Sequence, residues 1–224
     1  MEGDFTTALQ AAIEQRGYHA LTGRTLPYLE LMIWRDAEDT VFSVQLTDGP
    51  VAVAVTFIGD FLSRGWVNFA TLGKASSGGW ARPDRLVCIK DDYDLDSEDF
   101  RVHYLKHEAR HFADYKRYPK LKSHDLEYRA KLTELVYSES TLRPTLSRFI
   151  ANAREDATSA HSHAEFVLVR NLGRVLLKSE SPVGEGAFSG VSDAALKDAA
   201  ATLLRDFDRA AGRRGPATLE SLIL

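Results

Sequence analysis

Apolar positions change their spacing halfway along the chain. In the first half they come in short runs broken by turn residues. One stretch there is helical: Phe5, Leu9, Ala12 and Ile13 recur at three- and four-residue intervals and stop before Gly17. Leu26 to Trp34 reads as a second helix entered through Pro27, because proline is preorganised for a first helical turn. Val41–Leu46, Val51–Ile58, Val67–Leu72 and Arg85–Lys90 follow, each rich in β-branched or aromatic residues and each expected as a strand. Thr47-Asp48-Gly49-Pro50 between the first two is a turn signal and predicts a hairpin. The expected sheet is small and mostly antiparallel.

The second half reads as helical almost throughout. Asp94 and Asp96 precede a run from Ser97 to about Tyr118 that is acidic at its start and basic at its end, with Lys116 and Arg117. That gradient suits the helix dipole, and Pro119 ends the run. Further helices are expected over about 123–138, 144–156, 163–177 and 192–211, with Ser179 to Gly190 as a loop. Strands first and helices after predict the α+β class. The expected organisation is one domain over 1–224, with a sheet-containing part (1–96) packed on a helical part (97–224).

Composition narrows the function classes. At 224 residues and 24.9 kDa the chain can bury a substantial core unaided. A single cysteine, Cys88, rules out an intrachain disulfide and a Cys-rich structural zinc site, and its apolar neighbours make it a small buried strand residue. The net charge of −4 and pI near 6.0 give no electrostatic reason to expect a nucleic-acid partner. No stretch is long and apolar enough to span a bilayer, and the N-terminus lacks a basic region followed by an apolar one. The expected setting is soluble and cytoplasmic, although removal of an export signal would leave the same pattern.

Chemistry enters at residues 107–111, His-Glu-Ala-Arg-His. Histidines four apart on a helix project within about 40° of each other, so both imidazoles reach one ion. Glu108 sits about 100° around, where a carboxylate flanks the metal and takes the proton of the attacking water. This is the HExxH zinc motif. A catalytic zinc site has three protein ligands, so a third is needed. The metzincin arrangement would put a ligand six residues after His111, but that position is Arg117, and Asp114 stands where its glycine would be.

After Pro119 the next helix carries Asp125-Leu126-Glu127-Tyr128-Arg129-Ala130-Lys131-Leu132-Thr133-Glu134-Leu135. Over about residues 97–140 the chain resembles the gluzincin-type zinc metallopeptidases, in which a glutamate of the following helix completes the site. The resemblance implies Zn²⁺ held by His107, His111 and a glutamate, with Glu108 as the general base and a peptide or protein as substrate. Glu127 is the expected third ligand, since it lies near the interhelical loop and Ala130 one turn later lets the helices approach. Glu134 is seven residues on, nearly on the same face and about 10 Å further along the axis, and is the alternative ligand or a partner behind one.

Other positions follow from what such a site requires. Asp114 shares the histidine face and could accept the outer N–H of a ligand imidazole. His103, one turn before His107, is expected as a core or cleft histidine, because a fourth ligand would close the site. His163 is expected to stabilise the oxyanion, with His161, Tyr128, Arg129 and Tyr137 as further candidates. By the same resemblance, Gly78-Gly79-Trp80-Ala81 would sit at a strand edge able to pair with a peptide, its plainer reading being a flexible loop. Ser179–Gly190 reads as a surface connector, with a lid as the alternative.

Overall fold

A computed structural model describes residues 2–25, 28–75, 78–82, 84–179, 183–184 and 186–224. Helix α1 (Glu2–Glu14) is followed by strands β1 (His19–Thr25), β2 (Tyr28–Leu46) and β3 (Gly49–Arg64). The short helix α2 (Trp66–Ala70) leads to β4 (Gly79–Ala81) and β5 (Leu86–Ile89). The strands form one curled five-stranded sheet in the order β1-β2-β3-β5-β4. It is mixed: β1 runs antiparallel to β2 and β4 antiparallel to β5, but β5 runs parallel to β3. Helices fill the rest, namely α3 (His107–Arg117), α4 (Ser123–Tyr137), α5 (Leu142–Asn152), α6 (Ala160–Leu177) and α7 (Asp193–Arg214). The protein is of the α+β class, as its pattern predicts.

Two expected elements are replaced, each for a visible reason. The stretch expected as a helix over Leu26–Trp34 is strand from Tyr28 onward, while Leu26 and Pro27 lie outside the described residues. Met32 and Trp34 are buried with Ile33 less so between them, and this two-residue alternation is that of a strand. The expected strand Val67–Leu72 is instead α2 and the turn after it. Glu30, on β2, accepts the backbone N–H groups of Trp66 (2.6 Å) and Val67 (3.0 Å), serving as a distant cap for that helical turn. Gly65 precedes it at φ 94°, a conformation that glycine adopts without strain.

The chain divides into two compact units, residues 1–42 with 53–94 and residues 43–52 with 95–224. In the first, Met32, Trp34, Ile58, Val87 and Ile89 form the core. Cys88 is fully buried in β5, and its thiol is pushed up to about 12, by burial first and by Asp92 second. Such a thiol is unreactive at neutral pH. The Gly79–Ala81 segment is an edge strand of this unit. Of the Ser179–Gly190 loop, Glu180, Ser181, Pro182 and Glu185 lie outside the described residues.

The second unit is a helical core built on Leu132, Leu135, Leu142, Phe149, Leu168, Leu172 and Leu196, all essentially sealed from water. Before α3 the helix is wound wider over Asp99–Lys106, with the His107 N–H reaching back five residues to Val102 O. Just upstream, Glu98 gathers the turn between α4 and α5. Its carboxylate accepts the N–H groups of Glu139 (2.9 Å), Ser140 (2.8 Å) and Thr141 (3.2 Å) and the hydroxyls of Ser140 and Thr141. The modest burial of this carboxyl raises its pKa, but the hydroxyl of Thr141 and the backbone donors outweigh burial and bring it down to about 2.

The folded-state pKa of Glu98 thus lies below its unfolded value of 4.5. Its contribution is present above the unfolded value and is lost as pH falls toward about 2. Glu98→Gln is therefore expected to destabilise by about 1–2 kcal/mol at pH 7, a figure reduced from that of buried charged hydrogen bonds because Glu98 is partly solvated. Urea unfolding of both proteins across pH should show the gap closing in acid; a gap constant down to pH 2 would contradict this.

Candidate metal centre

The sequence between 107 and 134 builds the centre from one helical hairpin. His107 opens α3 and His111 follows one turn later, so their rings meet edge to face with Nε2 atoms 3.1 Å apart. From α4, Glu127 brings Oε1 to 3.4 Å from His111 Nε2 and Oε2 to 3.5 Å from His107 Nε2. All three side chains are close to nine-tenths withdrawn from water. Among the described residues this is the one group of three or more such side chains whose ligand atoms converge.

Three groups whose inward-facing atoms can each give an electron pair converge here, and one cation among them would engage all three. The outer nitrogen of His107 is already committed, since Nδ1 donates to Glu134 Oε1 at 2.7 Å, and its Nε2 therefore presents a lone pair to the cluster. Burial raises the pKa of Glu127, but the hydrogen bonds with His111 and His161 outweigh it and hold the carboxyl well below the ordinary range, so it is an anion. A tetrahedral ion with donors about 2.0–2.1 Å away separates them by about 3.3–3.4 Å. The separations of 3.1–3.5 Å are of that size, with the carboxylate facing each imidazole through a different oxygen. Two imidazoles and one carboxylate are a donor set that suits a divalent metal such as zinc.

The surrounding residues decide which atoms remain free. Glu108 is half-buried on α3, and among the described residues no hydrogen bond or ion pair engages its carboxylate. Its charge still reaches its neighbours, since burial of the Tyr115 phenol, and then the charges of Glu108 and Glu127, push that phenol's pKa up. Tyr115 packs its half-exposed ring 6.3 Å from that of His111. His161, largely exposed at the start of α6, has Nδ1 2.9 Å from Glu127 Oε2.

Several expected residues stand elsewhere. Glu134 meets the outer nitrogen of His107 and is thus a partner behind a ligand. Asp114 does not brace a histidine: its two oxygens accept from Arg129 Nε at 2.7 Å and Arg110 Nη1 at 3.3 Å, in full burial. Among the described residues His111 Nδ1 has no hydrogen-bond partner. His163 is not brought to the cluster; its ring nitrogens face the carbonyls of Glu155 (2.9 Å) and Ile223 (3.4 Å), and the ring packs on His124 and Phe166. Tyr128 is buried and accepts from Asn171, Arg129 serves Asp114 and Asp208, and Tyr137 lies under Lys106. Lys131, four residues after Glu127 and a natural surface partner for it, pairs instead with Glu165 at 2.9 Å in the interior. No motif singles out Tyr115, yet its position four residues after His111 puts it on the same helix face.

No family model, curated protein or solved structure matches the chain, so nothing outside its own residues bears on this centre.

Two outcomes follow from the geometry. Wild-type protein dialysed against zinc and measured by elemental analysis should hold about one ion per chain, and His107→Ala or His111→Ala should abolish tight binding. Full occupancy in both variants would exclude this ligand set. Arg129→Met removes the main partner of a fully buried carboxylate and is expected to cost about 3 kcal/mol or more in urea unfolding, because an uncompensated buried charge remains. A cost under about 1 kcal/mol would show that Asp114 is satisfied without it.

Proposed function

We propose that the protein is a zinc-dependent hydrolase of peptide bonds, similar in its site to the gluzincin-type metallopeptidases. The observation that carries this reading is the uncommitted carboxylate of Glu108 beside the converging His107, His111 and Glu127. A site that only stores a metal or only stiffens a fold has no use for a free, half-buried base next to its ligands. Zinc held by these three residues supplies Lewis acidity, which polarises a carbonyl and brings water's ionisation into the neutral range.

The roles of the chain's own groups follow from their positions. Glu108 takes the proton of the attacking water and returns it to the departing amine, and the lack of a competing partner among the described residues keeps it available for both. Tyr115 carries its hydroxyl at the water-exposed side of the cluster and is the candidate donor to a negative oxygen forming on the substrate, while His161, from α6, stands beside it with Nδ1 engaged by Glu127. Of the histidines expected at that task, His161 stands at the cluster and His163 does not, its nitrogens being occupied by backbone carbonyls.

Glu108→Gln keeps size and hydrogen bonding but cannot accept a proton. The variant is expected to bind zinc as the wild type does and to lose peptide hydrolysis by a factor of about 10² or more, read as kcat/KM on a mixture of quenched fluorescent peptides. Unchanged hydrolysis with contaminating protease excluded would sink the mechanism. Zinc binding without hydrolysis by the wild type on any peptide would favour a non-catalytic metal-binding or regulatory protein.

A further inference from the structure

We propose that Glu134 and His103 form a positioning relay that fixes the ring of His107 from behind and is itself anchored by Thr141 and Glu98. The inference rests on the reading of His107, His111 and Glu127 as a metal site, and adds residues outside the HExxH pattern.

Glu134 divides its two oxygens between two histidines. Oε1 accepts from His107 Nδ1 and Oε2 from His103 Nδ1, each at 2.7 Å, with Arg148 Nη2 at 3.3 Å from Oε2 as a third donor. The carboxylate is almost wholly buried and its oxygens meet only nitrogen donors in these contacts, so both act as acceptors. Each ring N–H that meets it is fixed in place, and for His107 this settles the tautomer: the proton is on Nδ1 and the lone pair on Nε2 faces His111 and Glu127.

His103 is held at its other end too. Its Nε2 lies 3.0 Å from Thr141 Oγ1 and 3.3 Å from Thr145 Oγ1. The Thr141 hydroxyl donates in turn to Glu98, the carboxylate that also collects the backbone of residues 139–141. With Nδ1–H of His103 directed at Glu134 and Nε2–H at Thr141 Oγ1, whose own proton goes to Glu98, a continuous path runs Glu98, Thr141, His103, Glu134, His107, crossing from the segment ahead of α3 to the α4–α5 turn and back to the centre. Among the described residues His111 has no comparable brace, because nothing there partners its Nδ1. The preorganisation of the two imidazoles therefore rests on the His107 side.

If His103 merely fills space, replacing it leaves metal affinity alone. If it positions Glu134, affinity falls although no ligand is touched. The test uses the full chain and the variants Glu134→Gln, His103→Gln, Thr141→Val and Thr145→Val. Zinc dissociation constants are read by competition with a chromophoric chelator, together with the visible absorption of the cobalt(II)-loaded proteins, and circular dichroism of the metal-free forms checks folding. Glu134→Gln is expected to weaken zinc by about 10–100-fold, as loss of a carboxylate behind a ligand histidine does. His103→Gln and Thr141→Val should each weaken it several-fold and shift the cobalt bands, while Thr145→Val, at the longer contact, should stay within about twofold of wild type. Folded His103→Gln and Thr141→Val proteins with wild-type zinc affinity and unchanged cobalt spectra would overturn the relay and leave the metal site intact. Should Glu134→Gln fail to fold, those two variants still decide. A wild type that takes up neither zinc nor cobalt would overturn the site itself.

Discussion

Asp114 and Arg129, both sealed from water and 2.7 Å apart, fix the register between the two helices that make the centre. Asp114 is one turn past His111, and Arg129 is two residues past Glu127. Sliding α4 by one turn would move Glu127 by about 5.4 Å and separate its oxygens from both imidazoles. The pair is not alone: Arg110 joins Asp114 to Asp48 at the β2–β3 turn, and Arg129 reaches Asp208 on α7 at 2.9 Å. Charges buried this way add little net stability compared with apolar packing. What they add is intolerance of alternatives, since any shifted register would strand a guanidinium or a carboxylate in the interior.

Close approach of the same helices is helped by a small side chain on the facing side. Ala130 on α4 is fully buried. Ala130 follows Glu127 by three residues, so the narrow face and the candidate ligand share one side of α4. The result is a cluster whose candidate ligands come from two helices instead of loops, with Glu108 left on the flank and Tyr115 and His161 on the side open to water.

Much of this is legible in the chain. The spacing of His107 and His111, the offset of Glu108 and the proximity of Glu127 to the interhelical loop are local quantities, and helix geometry converts them directly into positions. The choice between Glu127 and Glu134 is harder because both occupy nearly one face, and depth along an axis depends on how two helices cross, which no local pattern encodes. Asp114 shows the limit more sharply. Its spacing puts it on the histidine face, but its partner is an arginine fifteen residues away that outcompetes any imidazole for a buried carboxylate. His163 loses its expected place in a similar way, to the carbonyls of Glu155 and Ile223, both remote in sequence or outside any helix ladder. In the sheet, Pro27 suggests a helix start where Met32 and Trp34 alternate as a strand, and Glu30 caps a turn thirty-six residues on that its apolar content marks as extended. Each departure involves a polar partner distant in the chain, or a periodicity of two masked by a strong local signal.

The site turns on two imidazoles and one carboxylate converging where they could hold a single metal ion. X-ray absorption at the zinc edge of the loaded wild-type protein reads that convergence out. Nitrogen and oxygen neighbours at about 2.0–2.1 Å, no sulfur, and the more distant scattering of two imidazole rings are expected. A spectrum without imidazole scattering, or protein that emerges from zinc loading and gel filtration with no metal, would contradict it.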